Sequence, residues 1–266
     1  MKKLTTCILL MFTGAIIMTR IVFAQTDPIP GINTDRPTQG LSPFTVEKGF
    51  FQLESGAIFV DRKDQTRNWE KWSIATTNLR YGVYDHFEVS INSSYEHWTE
   101  KELNDGSIST MEGFGPVSAA FKVRIADEKG IRPQMAIAGS ITFRHLGGED
   151  FAPTYSYPVG LFIASHSLGK RWSLGYNFGF AYNGENPDGF FIYTGSLGYL
   201  ITDNLWSFAE AYGNFDNGDH PNHRLNGGLT YLIANNFQVD VTAGWGLDSE
   251  VTRLMLNAGF AWRLPR

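Results

Sequence analysis

From residue 49 to the end of the chain, large apolar side chains recur at every second position, and no stretch keeps a helical period. A period of two sends alternate residues to opposite faces of a strand. The stretch RWSLGYNFGFAY at 171–182 shows this most clearly. Trp172, Leu174, Tyr176, Phe178, Phe180 and Tyr182 form one column, and Ser173, Gly175, Asn177, Gly179 and Ala181 form the other. In a soluble protein the second face of a half-buried strand is solvated and polar. Here that face is small and nearly uncharged. The aromatic column therefore asks for an apolar surrounding, and the small column for an enclosed one.

Twelve such segments are predicted, near 49–60, 70–82, 87–98, 113–126, 132–144, 156–168, 171–183, 189–201, 204–214, 223–234, 236–247 and 251–264. The class is all-β. Connections alternate in length. Tyr84-Asp85-His86, Gly169-Lys170, Thr202-Asp203-Asn204 and Asn235 are short turns, with Ala126 to Ile131 longer than its class. Between them come polar segments at 61–69, 99–112, 145–155, 184–188, 215–222 and 248–250. Short turns at one end and long loops at the other build a closed antiparallel up-and-down transmembrane β-barrel, here of about 12 strands. An even strand count also returns both ends of the chain to one side. Strands of about 11–13 residues, tilted near 40°, cover about 30 Å of height, enough for the hydrocarbon layer. Closure is required, because an open sheet edge in lipid leaves backbone groups without partners.

The two faces can be assigned strand by strand. Phe87, Val89, Ile91 and Tyr95 oppose Glu88, Ser90, Asn92, Ser94 and Glu96; Val117, Ala119, Phe121, Val123 and Ile125 oppose Ser118, Ala120, Lys122 and Arg124. Phe237, Val239, Val241, Ala243 and Trp245 oppose Gln238, Asp240, Thr242 and Gly244. On the last strand Leu254, Leu256, Ala258, Phe260, Trp262 and Leu264 oppose Arg253, Asn257, Gly259 and Arg263. The apolar columns are assigned to lipid and the polar ones to a lumen. One strand breaks the rule: in LWSFAEAYG, Glu210 shares parity with Trp206, Phe208 and Tyr212. Either a bulge shifts the register or this strand turns aromatics inward.

The chain opens with Lys2 and Lys3, an apolar run from Cys7 to Met18, and Val22-Phe23-Ala24 before Gln25. That is the three-part pattern of a secretory signal. The expected division is a signal peptide at 1–24, a periplasmic or luminal segment at 25–48, and a barrel at 49–266. The expected localisation is the outer membrane of a Gram-negative-type envelope. Cleavage removes the one cysteine and leaves 19 Lys and Arg against 27 Asp and Glu, a net charge of −8. Disulfide and thiolate chemistry are thereby excluded from the mature chain, and an acidic balance argues against nucleic acid as a partner. No window after the signal approaches a membrane-spanning apolar helix, whereas 14% aromatic residues and 28 glycines suit alternating membrane strands.

Residues 33–56, NTDRPTQGLSPFTVEKGFFQLESG, carry a resemblance. Thr34-Asp35-Arg36-Pro37, Ser42-Pro43, Gly49 and Gln52-Leu53-Glu54 resemble the opening signature of the outer-membrane transporter family associated with the meta-cleavage pathway of phenol degradation. The similarity continues in LRYGVYDHFEVSI at 79–91, GFGPVSAAFKVRI at 113–125 and FAEAYGN at 208–214. It implies an outer-membrane barrel with a transport role; the phenol link names the family and does not establish the cargo.

Candidate lumen-lining and selectivity residues are Asp35, Arg36, Glu54, Arg80, Glu88, Lys122, Arg124, Arg144, Asp240, Arg253 and Arg263. Asp35 and Arg36 precede the first strand, so their segment is either a luminal plug or a strap across the barrel end. Opposed wall charges set up a transverse field that sorts solutes, or neutralise one another and fill the interior. His166-Ser167 invites a lipid-hydrolase reading, but adjacent strand residues face opposite ways. His220-Pro221-Asn222-His223 and Asp216-Asn217-Gly218-Asp219 follow neither zinc nor EF-hand spacing. The acidic stretch 96–113 reads as a solvated loop.

The leading expectation is passive transport of a small solute, an aromatic or other small organic acid being a candidate cargo that arginines would suit. A lipid-modifying enzyme, and a structural or surface-binding barrel with a blocked lumen, are the alternatives. Implied partners are outer-membrane lipid, the solute and the barrel-assembly machinery; no cofactor, metal or catalytic residue is assigned.

Overall fold

The structure, a computed structural model, describes residues 31–185, 187–215, 222–247 and 252–264. The expected signal peptide and the Asp216–Asp219 cluster lie outside the described residues.

The strands are β1 (Phe51–Lys63), β2 (Arg67–Tyr84), β3 (Phe87–Glu102), β4 (Ile108–Phe114), β5 (Ser118–Ala126), β6 (Gln134–Thr142) and β7 (Tyr157–Leu168). They continue as β8 (Trp172–Tyr182), β9 (Gly189–Thr202), β10 (Leu205–Phe215), β11 (Asn222–Ala234), β12 (Phe237–Gly246) and β13 (Leu254–Arg263). Each pairs antiparallel with its neighbours, and β1 pairs with β13 from Gln52 opposite Arg263 to Asp61 opposite Leu254. The sheet is therefore a closed barrel of twelve staves.

Two of the strands share one stave. β3 pairs with β5 at the short-turn end, Phe87 opposite Val123, and with β4 at the long-loop end, Lys101 opposite Ile108. The stretch predicted as a single strand at 113–126 is broken between them by Gly115-Pro116-Val117. Proline has no N–H for the ladder, so the strand ends there and β5 restarts beyond it. The loops expected at 61–69 and 99–112 are mostly strand instead, with turns only at 64–66 and 103–107. Outside lipid a ladder can be polar on both faces, and periodicity then gives no sign that it continues.

Burial is inverted relative to a soluble protein. Phe178 is 54% exposed and Val241 56%, whereas Arg80 is 0%, Glu54 2% and Asp240 3%. The aromatic column of β8 faces outward as predicted, and Asn177 on its other face is buried. β10 resolves the ambiguous register. It pairs with β11 without a shift from Leu205 to Asn214, and Glu210 and Tyr212 are both buried. From Trp206 to Asn214 both neighbours pair with β10 without a shift, and β10 turns Trp206, Phe208, Glu210 and Tyr212 inward together.

A bulge does occur on β2, where the pairing with β3 slips between Ile74 and Thr77 and Ala75 takes a φ of 51°. That left-handed backbone is costly for a residue with a Cβ. The Thr77 hydroxyl bonds the Ala75 carbonyl at 2.8 Å and the Thr76 hydroxyl reaches the Gly56 carbonyl at 3.2 Å. Thr76, Thr77 and Asn78 all line the luminal cavity as a result, which strict alternation forbids.

Replacing Phe178 by Arg puts a charge on the lipid face and is expected to cost about 2–4 kcal/mol of barrel stability near the midplane. Ala120→Ser, on the lumen wall, is expected to change it little. Denaturant unfolding of liposome-folded protein compares the two.

Candidate functional site

Residues 31–50 enter the barrel from the short-turn end and return there. The Ile32 amide bonds the Asn235 carbonyl in the β11–β12 turn at 2.8 Å, and the Thr45 hydroxyl reaches the Asp85 carbonyl in the β2–β3 turn at 3.4 Å. Lys48 then bridges Gly82, and β1 starts. Pro37 and Pro43 keep the segment out of a helix, so its amides cannot satisfy one another. The barrel wall supplies the acceptors. Glu54 accepts from the Asp35 and Arg36 amides, each at 3.2 Å. Glu210 accepts from the Gln39 amide at 2.9 Å and the Gly40 amide at 3.0 Å. Asn177 accepts from the Leu41 amide at 2.7 Å and donates to the Leu41 carbonyl at 3.0 Å. Glu88 accepts from the Val46 amide at 2.6 Å. Of the two readings of this segment, the geometry is that of a luminal plug.

The plug's side chains complete the wall's charges. Arg36 forks onto Asp240, Nε to Oδ2 at 3.1 Å and Nη2 to Oδ1 at 2.9 Å, and Nη2 also donates to Asn257 at 2.8 Å. It lies over Gly56 and Gly259, opposite one another across the β1–β13 seam. A Cβ on either glycine would run into the guanidinium. Gly40, at the plug's tip, is hemmed in the same way by Thr194 and Asn177.

Arg80 is the hub. Its guanidinium meets Glu54 at 2.6 Å, Glu88 at 2.8 Å and Asp35 at 3.4 Å. Lys122 stands alongside, with Nζ 2.7 Å from Asp35 and 3.4 Å from Glu88. Arg263 reaches Glu47 at 3.4 Å, with its guanidinium over the Phe50 ring. Arg36, Arg80 and Lys122 are thus already matched by Asp35, Glu54, Glu88 and Asp240. The expectation that these cations suit a solute carboxylate does not fit this cluster, because its charges are spent on one another.

Asp35, Arg36, Glu54, Arg80, Glu88, Lys122, Asp240 and Arg263 are brought together. Three other candidates lie outside this cluster. Arg124 sits at the short-turn rim, bonding His86 and facing Asp127 at 3.5 Å. Arg144 is exposed in the β6–β7 loop, where its amide bonds the Ser156 hydroxyl at 2.9 Å. Arg253 lies just ahead of β13 and pairs with Asp61 at 3.5 Å, 57% exposed. Arg144 and Arg253 lie outside their strands, where parity no longer dictates facing, whereas Arg124 is on the face of Lys122 near the end of β5. Asn177, whose small-faced column hid its role, is an anchor of the plug that composition did not signal.

His166 and Ser167 do not form a catalytic pair. The Ser167 hydroxyl donates to Glu128 at 2.8 Å, while His166 stacks on Tyr176. The Ser167 amide and hydroxyl hold the Glu128 carboxyl below its ordinary range. Among the described residues, no group of three or more His, Cys, Asp or Glu side chains converges as metal ligands would.

The plug narrows the lumen without filling it. A cavity of about 330 Å3 borders Arg36 to Gln39, Thr76 to Asn78, Asn92 to Ser94 and Asn257. A second, of about 170 Å3, shares Asp35, Leu41, Asn78 and Asn92 with it. Its lining mixes polar groups, Ser90, Asn92, Ser118 and Ser140, with apolar ones, Ala120, Ala138, Val159 and Leu161.

Closed staves, a lipid-facing aromatic exterior and a polar interior define an outer-membrane β-barrel, here with a folded-in plug. Residues 34–264 match the family described as "Putative MetA-pathway of phenol degradation", and the chain belongs to that family. Among solved structures, the fold is similar to that of an outer membrane channel from Pseudomonas putida F1, with a TM-score of 0.64 at 9% identity over 86% of this chain and 100% of that one. The transport unit of the autotransporter AIDA-I from Escherichia coli aligns with a TM-score of 0.53 at 6% identity, over 96% and 97% of the two chains. The NanC porin aligns with 0.51 at 9% identity, over 80% and 100%. No curated protein matches the sequence.

Arg80→Met leaves Glu54, Glu88 and Asp35 without their shared cation, and breaking a buried pair costs about 3–5 kcal/mol, less where water enters. The expected result is a lower unfolding midpoint and faster hydrogen exchange at the Gln39 and Gly40 amides. An unchanged midpoint with both amides still protected would mean that the plug docks without Arg80.

Proposed function

We propose that this barrel is a passive outer-membrane channel for small solutes, with residues 31–50 as its plug and selectivity element and residues 1–24 as the export signal. The observation that carries the reading is the pair of cavities that border the plug and share lining residues. A lumen built only for structure would be filled, as the interiors of the smallest barrels are. The larger space is at the low end of volumes that hold small organic molecules. The lining of its neighbour mixes hydroxyls and an amide with aliphatic carbons. That lining suits a solute with a polar group and an apolar body, such as an aromatic or other small organic acid. Lipid hydrolysis is not part of this reading, since Ser167 is held by Glu128 and not by a histidine.

The blocked-lumen reading draws on the plug's docking, in which wall carboxylates and one asparagine accept backbone amides. Single-channel recording in planar bilayers separates the two. The intact barrel is expected to give small open steps, and Asp35→Asn combined with Arg36→Gln larger and noisier ones, since the plug loses its ties to Lys122 and Asp240. Silence from both, with each barrel shown folded by heat-modifiable mobility, would sink the channel and leave a blocked barrel.

A further inference from the structure

At the long-loop end of the lumen the charge balance is different. Arg62 follows Val60 by two on β1, on the face that Val60 shares with buried Met255 opposite it. Arg224 enters from β11, directly opposite Tyr212 of β10 and Gly246 of β12. The strands between the two arginines contribute small or flexible groups, Met255 from β13 and Gly244 and Gly246 from β12.

Arg224 lies over the Tyr212 ring, 5.9 Å from its centroid, and the Tyr212 hydroxyl donates to the Met255 sulfur at 3.6 Å. Arg62, itself exposed at the mouth, is near enough to Arg224 and Tyr212 for their charges to act on one another. Two like charges thus share one small region of the lumen. Among the described residues no carboxylate forms an ion pair with either: Asp61, next in the chain, pairs outward with Arg253. Among the described residues, the buried Nε of Arg224 has no hydrogen-bond acceptor. Buried charged donors are ordinarily bonded, and leaving one open is costly.

We propose that Arg62, Tyr212 and Arg224 form a luminal binding site for a small carboxylate with an apolar body. A guanidinium presents parallel N–H groups that match the two oxygens of a carboxylate. Two guanidiniums from different strands hold one such group between them, and its charge relieves their repulsion. The Tyr212 ring, the Met255 thioether and Val60 give the remainder of the solute an apolar flank. The site rests on the reading of the barrel as a channel that admits solutes, and gives that channel a preference for anions on the long-loop side of the plug.

The test uses the full barrel in detergent micelles, with benzoate, benzyl alcohol and inorganic phosphate as probes in titration calorimetry. Variants are Arg62→Gln, Arg224→Gln and both together, with Lys63→Gln as a control at the exposed end of β1; heat-modifiable mobility checks each fold. Benzoate is expected to bind the parent and to weaken roughly tenfold for each guanidinium lost, as for a charged hydrogen bond. Lys63→Gln is expected to leave it unchanged. Benzoate binding that survives in the folded double variant, or benzyl alcohol bound as tightly as benzoate, would overturn the site. Phosphate bound more tightly than benzoate would overturn its assignment to an apolar carboxylate. Bilayer recording of the same proteins keeps the two readings apart. Open steps without arginine-dependent binding would remove this site and leave the channel, whereas arginine-dependent binding by a silent barrel would do the reverse.

Discussion

In hydrocarbon a peptide group has no water to bond, so every N–H and C=O of a spanning strand must find a partner in the sheet. That requirement is met here by the seam between β1 and β13, ten residue pairs that join the first strand to the last. Closure dictates most of the remaining architecture. It divides each strand into a face that sees lipid and a face that sees the enclosed space, and it makes that space finite. Twelve staves enclose more than their own inward side chains can fill, and the small residues of β8 and β9 leave still more room. The plug occupies part of it, and the opposed glycines at 56 and 259 make way for its arginine.

The plug in turn explains why so many carboxylates face inward. Glu54, Glu88 and Glu210 each accept backbone amides of residues 35–46, and two of the three also bond Arg80. A chain segment without secondary structure brings unsatisfied amides wherever it goes, and in a narrow lumen the wall must supply acceptors. Carboxylates do so strongly; Arg80 and Lys122 then offset Glu54 and Glu88, and the plug's own Arg36 offsets Asp240. The arrangement is mutual. Without the plug Asp240 would lose its guanidinium; without the wall the plug would hold open amides.

Alternation revealed the barrel because the lipid face tolerates little but apolar side chains, and the inward facing of Glu54, Arg80, Glu88, Lys122 and Asp240 followed from parity alone. The same logic failed wherever lipid no longer enforces it. Arg144 and Arg253 were placed in the lumen by extending parity past the ends of β6 and β13, where the chain is free to turn. Arg62 and Arg224 were overlooked for the opposite reason. The 61–69 stretch reads as a polar loop, yet β1 and β2 pair as far as Lys63 opposite Asn68, which carries Arg62 on a wall position. Arg224 lies next to a long polar connection and gave no apolar alternation of its own. Glu210 could be faced only from its partners, since a strand with aromatics on the luminal side has no parity signal to read.

Two levels of charge result, and they act differently on a solute. Around Arg80 the cations and carboxylates are within 2.6–3.4 Å of each other, so their fields cancel over a few ångströms and a solute passing by meets mainly dipoles. Around Arg62 and Arg224 no described carboxylate cancels the charge, and the field extends into the open part of the lumen. The chain as a whole is acidic, with a formal net charge of −5, which by itself would repel an anion. At physiological salt that overall repulsion is screened beyond about 8 Å, whereas charges facing each other across low-dielectric walls are screened much less. At the proposed site an anion would answer to the two nearest guanidiniums and not to the total. Beyond them it meets a compensated, partly apolar passage that does not hold it further. Strong binding all along a lumen would trap a solute; one charged site beside a neutral passage lets it enter and leave.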